Sequence, residues 1–332
     1  MSVTLQDVFS ARQRIAPWVR RTPLVGSEWL SRVCGTPVSL KLESLQPTHS
    51  FKVRGAFNAA MSFSVPVGGA VRLVTASTGN HGRALSYATQ KLGLECVVFA
   101  PASTPAVKLD GIRRAGATLI AEAPSYDEAE AGAMAYAAER ASGEERRVQY
   151  LSAYSDVHLI AATGTIATEI LEDDPHVNVI VVPVGGGGLI SGIALAAKAI
   201  DPAVRIIGVE AANNPAMSTA RARGFVAHVD VQPTLADAIG GNNDPQTITF
   251  DYMQRLMDDL VQVSEDEIAT AVRDLAGYDH VIAEGGGAVT SAALAAGRIH
   301  LPSGSRVAAV VSGGNIDRTR LAALLGDHHH AV

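Results

Sequence analysis

Two cysteines, no clustered positive charge and no long apolar run set the first limits on this 332-residue chain. Cys34 and Cys96 are too few for a disulfide framework. Cys96 lies inside the apolar stretch Cys96-Val97-Val98-Phe99-Ala100, where a buried strand thiol is expected. Acids and bases are mixed along the chain, with a formal net charge of −6. No Lys/Arg block marks a surface for nucleic acid or anionic membrane, so neither partner is expected. The opening segment has no apolar core behind a basic tip, so no secretory leader is expected. Runs such as Val179 to Val184 are far too short to span a bilayer. No fixed-period repeat and no low-complexity linker is present. These absences together point to the cytoplasm. The run Asp327-His328-His329-His330 reads as a frayed tail or the remains of a tag rather than a metal site.

What is present is globular: 47% hydrophobic and 18% charged residues, enough to bury a large core in one big domain or two intimate ones. Apolar or β-branched runs predict strands at Val38–Leu42, Val71–Ala76, Glu95–Ala100, Thr118–Ala121, Val179–Val184, Arg205–Glu210 and Arg306–Val311. Several are continuously hydrophobic, as parallel strands buried on both faces are. Helical segments such as Ser86–Leu92, stopped by Gly93, and Ile190–Ile200, stopped by Asp201-Pro202, lie between them. The alternation predicts an open, doubly wound α/β architecture, whose ligands sit at the carboxyl ends of strands.

Glycine collects at those ends. Strand Val179–Val184 runs into Gly185, Gly186, Gly187 and Gly188, and then into a helix. Such a loop presents backbone amides and a helix N-terminus to an anion, so it reads as a phosphate cradle or as a tight structural turn. A nucleotide P-loop needs Lys and Ser/Thr after the last glycine, where Leu189-Ile190 stands. The G-x-G-x-x-G spacing of a dinucleotide site also fails, which disfavours a dehydrogenase. A smaller phosphate ligand fits. The chain has five lysines, and Lys52 alone sits in a compact apolar setting, Ser50-Phe51-Lys52-Val53-Arg54-Gly55-Ala56. Spacing alone reads it as a surface lysine at a helix start. As a nucleophile it needs a lowered pKa, and burial together with Arg54 is expected to supply that.

Four motifs occur in order: the Lys52 segment, Ser77-Thr78-Gly79-Asn80-His81-Gly82, the tetraglycine loop and Ser312-Gly313-Gly314-Asn315. In this order they resemble the fold-type II pyridoxal-phosphate enzymes, in their threonine/serine dehydratase and serine racemase branch. The resemblance covers about 300 residues, from Arg21-Thr22-Pro23-Leu24 to Asn315. It implies a tryptophan synthase β-like fold: two open doubly wound domains with the cofactor, pyridoxal 5′-phosphate, between them. By analogy residues 1–64 and 151–332 form a large cofactor-binding domain, and residues 65–150 form a small mobile one.

Carried onto this chain, the resemblance implies that Lys52 holds the cofactor as a Schiff base and shuttles the α-proton. Phe51 packs beside the ring, Asn80 bonds its 3′-oxygen, and Gly185–Gly188 bind the phosphate. Ser312 faces the pyridine nitrogen; a neutral serine does not enforce protonation there, which suits β-elimination. Ser77, Thr78 and His81 belong to the loop that grips the substrate carboxylate, and Thr78 is a candidate catalytic residue. In the similar racemases a serine occupies the Thr78 position and acts as the opposite-face acid/base, so the added methyl puts racemisation in doubt. Tyr154 is placed near substrate. Glu284 shapes the cofactor pocket or begins a helix.

The implied activity is a lyase that converts a β-hydroxy amino acid such as L-threonine or L-serine to a 2-keto acid and ammonia. The Ser77–Ala84 and Ala236–Gly241 segments are also similar to hydroxyectoine-utilisation dehydratases, and threo-3-hydroxyaspartate remains an alternative substrate. A serine racemase and, in a different class, a non-catalytic amino-acid-binding protein are further alternatives; Lys52 argues against the binder. No metal is expected: Glu210 is kept, but Ala216 stands where metal-binding members carry a second acid. Otherwise Glu210 reads as a solvated or ion-paired strand end. No regulatory domain follows the Ser312 loop, so end-product feedback is not expected. A homodimer is the family's usual state.

Overall fold

The computed structural model describes residues 2–64, 71–104, 106–140 and 147–326, and in them short strands alternate with helices. The strands are β1 (Leu24–Gly26), β2 (Val38–Leu42), β3 (Val71–Ala76), β4 (Glu95–Pro101), β5 (Thr118–Ala123), β6 (Arg147–Tyr150), β7 (Val179–Pro183), β8 (Arg205–Ala211), β9 (Asp259–Val263) and β10 (Val307–Val311). Six form one sheet in the order β1-β2-β10-β7-β8-β9, and four form a second in the order β5-β4-β3-β6. All pairings are parallel except that of the edge strand β1 with β2. The α/β architecture is thus the one anticipated. The expected boundary at residue 65 and the run Asp327–His330 lie outside the described residues.

Continuous burial explains why the central strands were legible. Every residue of β7 (Val-Ile-Val-Val-Pro) and of β10 (Val-Ala-Ala-Val-Val) is buried, so both faces demand apolar side chains. β1, β6 and β9 were not anticipated. β1 is three residues long, β6 opens on the exposed Arg147, and β9 is a half-exposed edge strand. Helices begin earlier than their apolar runs suggest, at Asn80 and at Gly188, because their first turns are built from loop residues facing the cavity. Cys96 is buried in β4 as expected, and burial pushes its thiol up to about 12.

The helix Lys52–Ser64 joins the two sheets. Its Val53, Ala56, Phe57 and Ala60 share one apolar cluster with Leu73 of β3, Leu85 of the helix Asn80–Leu92, and Ile160 of the helix Val157–Asp173. Its Arg54 turns away from Lys52, which corrects the expected role. The Arg54 guanidinium, 1% exposed, donates to Glu43 at 2.8 Å and to Glu169 at 2.6 Å. Lys41, fully buried, donates to Glu169 at 2.7 Å and to the Thr22 carbonyl at 2.6 Å. Two cations and two carboxylates therefore neutralise one another inside the large sheet's flank, the only way such charges tolerate full burial.

Candidate active site

The carboxyl ends of β7, β10 and β3 run into the three glycine-rich loops, and these converge on a cavity of about 640 Å³. Lys52, Ser77, Thr78, Asn80, His81, Tyr154, Gly186 and Glu284 all line it. Phe51, Lys52 and Gly188 line a smaller recess that shares Ala153 and Tyr154 with it.

The lysine is held by a pinned turn. His49 adopts φ 59°, a left-handed conformation unusual for a residue with a Cβ, and its carbonyl accepts the Gly314 amide at 2.9 Å. Ser50 then bridges Gly313, and the Phe51 amide donates to the Ser312 carbonyl at 3.0 Å. The turn delivers Lys52 to the first position of its helix, where Nζ donates to the Ala153 carbonyl at 2.6 Å and lies 5.1 Å from the Phe51 ring centre. Burial pulls the amine down to about 8, although the Glu284 carboxylate raises it. Arg54 plays no part in that shift.

The tetraglycine loop leaves its amides unspent. Among the described residues no hydrogen bond is donated by the N–H of Gly185, Gly186, Gly187 or Gly188. The backbone there is also too closely packed for a side chain. A Cβ on Gly186 would stand 2.3 Å from the Tyr154 ring, one on Gly188 2.7 Å from the Tyr154 carbonyl oxygen, and Gly187 holds φ +82°. Four free amides at the N-terminus of the helix Gly188–Ile200 are what a phosphate requires. With Lys52 beside them, these donors fit a phosphorylated aldehyde that is bound covalently through an amine.

On the facing side, the Ser77 hydroxyl accepts the amides of Gly79 at 3.1 Å and Gly82 at 2.9 Å, which braces the loop and leaves its own hydrogen to offer. Thr78, half-buried, lines the cavity beside it. Asn80 gives one N–H to Glu284 at 2.6 Å and accepts from Asn315 at 2.7 Å. His81 is 3% exposed with neither ring nitrogen hydrogen-bonded. Burial, with the Lys52 charge second, pulls it down to about 3, so it stays neutral at physiological pH. Ser312 Oγ donates to the Gly286 carbonyl at 3.3 Å.

Of two acids, Glu284 keeps the setting expected of it and Glu210 does not. Glu284 is the N-cap residue of the helix Gly285–Ala295, but its side chain makes no capping bond and is committed to Asn80 instead. Burial pushes it up to about 7 against that hydrogen bond. Glu210 is 2% exposed and is neither solvated nor ion-paired: it accepts the amides of Met217 and Ser218 at 3.1 Å each and Gln262 Nε2 at 3.1 Å. It anchors the start of the helix Ala216–Arg223. The motifs assigned no role to Asn315, which joins Thr48, Asn80 and Arg83, nor to Asp237, which binds Lys108 at 2.7 Å. Arg83 could have been found, since it falls three residues after Asn80 on the same helical face.

Residues 15–313 match the family described as pyridoxal-phosphate dependent enzyme, and the chain belongs to that family. Pyridoxal phosphate is its cofactor. Among curated relatives, the chain is 40% identical over 317 residues to an L-threonine ammonia-lyase of Thermotoga maritima, covering 95% of this chain and 76% of the relative. Among solved structures, it superposes on a pyridoxal 5′-phosphate-dependent aspartate racemase with a TM-score of 0.89 at 28% identity, covering 97% and 98% of the two chains. A serine racemase of Dictyostelium discoideum gives a TM-score of 0.84 at 30% identity, covering 95% and 99%. Among the described residues no helix is long and apolar enough to cross a membrane.

Proposed function

We propose that this chain is an ammonia-lyase that converts a β-hydroxy amino acid such as L-threonine or L-serine to a 2-keto acid and ammonia. One observation carries the reading: a single depressed-pKa amine, Lys52, lines one cavity with a Ser/Thr/Asn/His loop and with Gly186 of a glycine loop whose four amides are unspent. Pyridoxal phosphate, bound through Lys52, supplies an electron sink that makes the substrate's Cα–H acidic. Lys52 would take that proton once the substrate's amino group has displaced Nζ from the cofactor. Burial, which pulls the amine down to about 8, favours the uncharged form this needs. Ser77, Thr78 and the neutral His81 would orient the α-carboxylate, and Asn80, fixed by Glu284 and Asn315, would hold the ring. Ser312 would offer a neutral hydroxyl to the pyridine nitrogen. Loss of the proton and of the β-hydroxyl as water yields an enamine, which hydrolyses to the keto acid and ammonia.

Residues 1–64 and 151–332 are proposed as the part that holds the cofactor, and residues 65–150 as the part that closes over substrate. A cytoplasmic homodimer is proposed on the family resemblance, and sedimentation of the holoenzyme tests the dimer. The decisive experiment compares absorbance of the wild type and of Lys52→Ala, before and after L-threonine or L-serine. A band near about 410–420 nm that vanishes in the variant is expected, with keto acid formed by the wild type only. Loss of the proton-transfer role alone costs about 10²–10⁴ in rate. A wild type that makes no keto acid from L-threonine, L-serine or threo-3-hydroxyaspartate overturns the reading.

A further inference from the structure

Two guanidiniums on the cavity wall have no part in the chemistry proposed above. Arg83 projects from the same face of its helix as Asn80, and its stem lies against Gly111, where a Cβ would sit 3.8 Å from Arg83 Cδ. Its guanidinium donates to the neutral Oδ1 of Asn315 at 2.7 Å. Arg114 ends the helix Ala106–Arg114 and is exposed at the cavity mouth. Among the described residues neither has a carboxylate at ion-pairing distance. Lys108, on the same wall, is different: it is neutralised by Asp237 at 2.7 Å, which Arg320 also approaches at 3.3 Å.

The acids of the wall do not cancel the pair. Asp317 accepts the amides of Thr319 and Arg320, and Asp127 lies in the first turn of the helix Tyr126–Arg140, so helix termini offset both charges. Glu284 is pushed up to about 7 and is only partly ionised at neutral pH. Burial and then repulsion by Arg114 hold Arg83 below its usual range, with Glu284 opposing. Two like charges kept near one another on a partly desolvated wall are a standing cost, and an anion placed between them removes it. The loop Ser77–Gly82 is the one proposed for the α-carboxylate, so the anion they suit is a second one.

We propose that Arg83 and Arg114 receive a distal carboxylate, so that the preferred substrate class is an acidic β-hydroxy amino acid rather than a neutral one. The reaction part of this inference rests on the elimination reading above; the binding part does not. Calorimetry of the holoenzyme with L-aspartate and its neutral isostere L-asparagine, neither of which carries a β-hydroxyl, tests the binding part alone. Aspartate is expected to bind about tenfold or more tighter. The ratio should fall toward unity in Arg83→Gln and in Arg114→Gln, and recover in part in Arg83→Lys. Arg113→Gln, an exposed residue paired with Asp110 at 3.0 Å and not on the cavity wall, should leave the ratio where it was. Equal binding of the two ligands, no binding of either, a ratio indifferent to Arg83 and Arg114, or one equally lowered by Arg113→Gln overturns the proposal. Keto-acid formation from threo-3-hydroxyaspartate, threonine and serine is measured in parallel. Silence on all three substrates with the aspartate preference intact would sink the elimination reading and leave the anion receptor standing.

Discussion

The six-stranded sheet offers the cavity mainly backbone, and the four-stranded sheet offers mainly side chains. On the first side, Gly185–Gly188 present amides at the end of β7, a strand buried at every position. On the second, Ser77, Thr78, Asn80 and Arg83 present hydroxyl, amide and guanidinium groups, and the outer strand β5 of their sheet has no fully buried residue. The division follows from what each partner needs. A cofactor phosphate that stays bound is best met by donors that cannot rotate away. A substrate that enters and leaves is better met by groups on the more lightly packed element. Between the sides run polar bonds at different depths, from the part-buried Asn80–Glu284 bond to the more exposed Lys108–Asp237 pair.

The largest effect should come from breaking the charge cluster behind the first side. Glu169→Ala strips Lys41 and Arg54 of a shared carboxylate in a site 0–6% exposed. It is expected to cost about 3–5 kcal/mol in urea unfolding, because the surplus positive charge has no water to turn to. Next comes the link between the sides. Glu284 has its folded pKa raised from 4.5 to about 7, so between those values the folded state holds more protons than the unfolded one. Stability of the cofactor-free protein should therefore fall as pH rises from 4.5 to 7, by up to about 3 kcal/mol. Glu284→Gln should flatten that slope; a slope that survives refutes the assignment.

Glycines sharpen the comparison at smaller scale. Gly186→Ala would drive a methyl to 2.3 Å from the Tyr154 ring. About 1–3 kcal/mol of overpacking is expected, with cofactor lost on dialysis as followed by absorbance. Gly111→Ala, on the other side, meets nothing nearer than 3.8 Å and lies inside a helix. It should raise stability by about 0.5–1 kcal/mol and leave the cofactor spectrum unchanged.

How much of this could be read beforehand depended on whether the signal was local. β2 and β3 were anticipated to the residue because strands buried on both faces have no freedom in side-chain choice. β6 and β9 were not, because edge strands mix polar and apolar residues as loops do. Lys52, Asn80, the four glycines and Ser312 were singled out by short motifs, and of these Lys52, Asn80, Gly186 and Gly188 line the two adjoining cavities. Arg54 was misplaced for the converse reason: two residues from Lys52 along a helix puts it on a different face, toward Glu43 and Glu169.

The sequence by itself determined the alternation of strand and helix, the loops at the carboxyl ends of strands, and the residues able to hold a phosphate and an aldehyde. These are properties of neighbours in the chain, set by burial periodicity and by the conformations glycine permits. Only the tertiary structure decided which charges were cancelled and which were left over. Glu284 meets Asn80 across 204 positions and Lys108 meets Asp237 across 129, while Arg83 and Arg114 meet no carboxylate among the described residues. Coulomb's law acts through space, and the chain's order does not carry those distances.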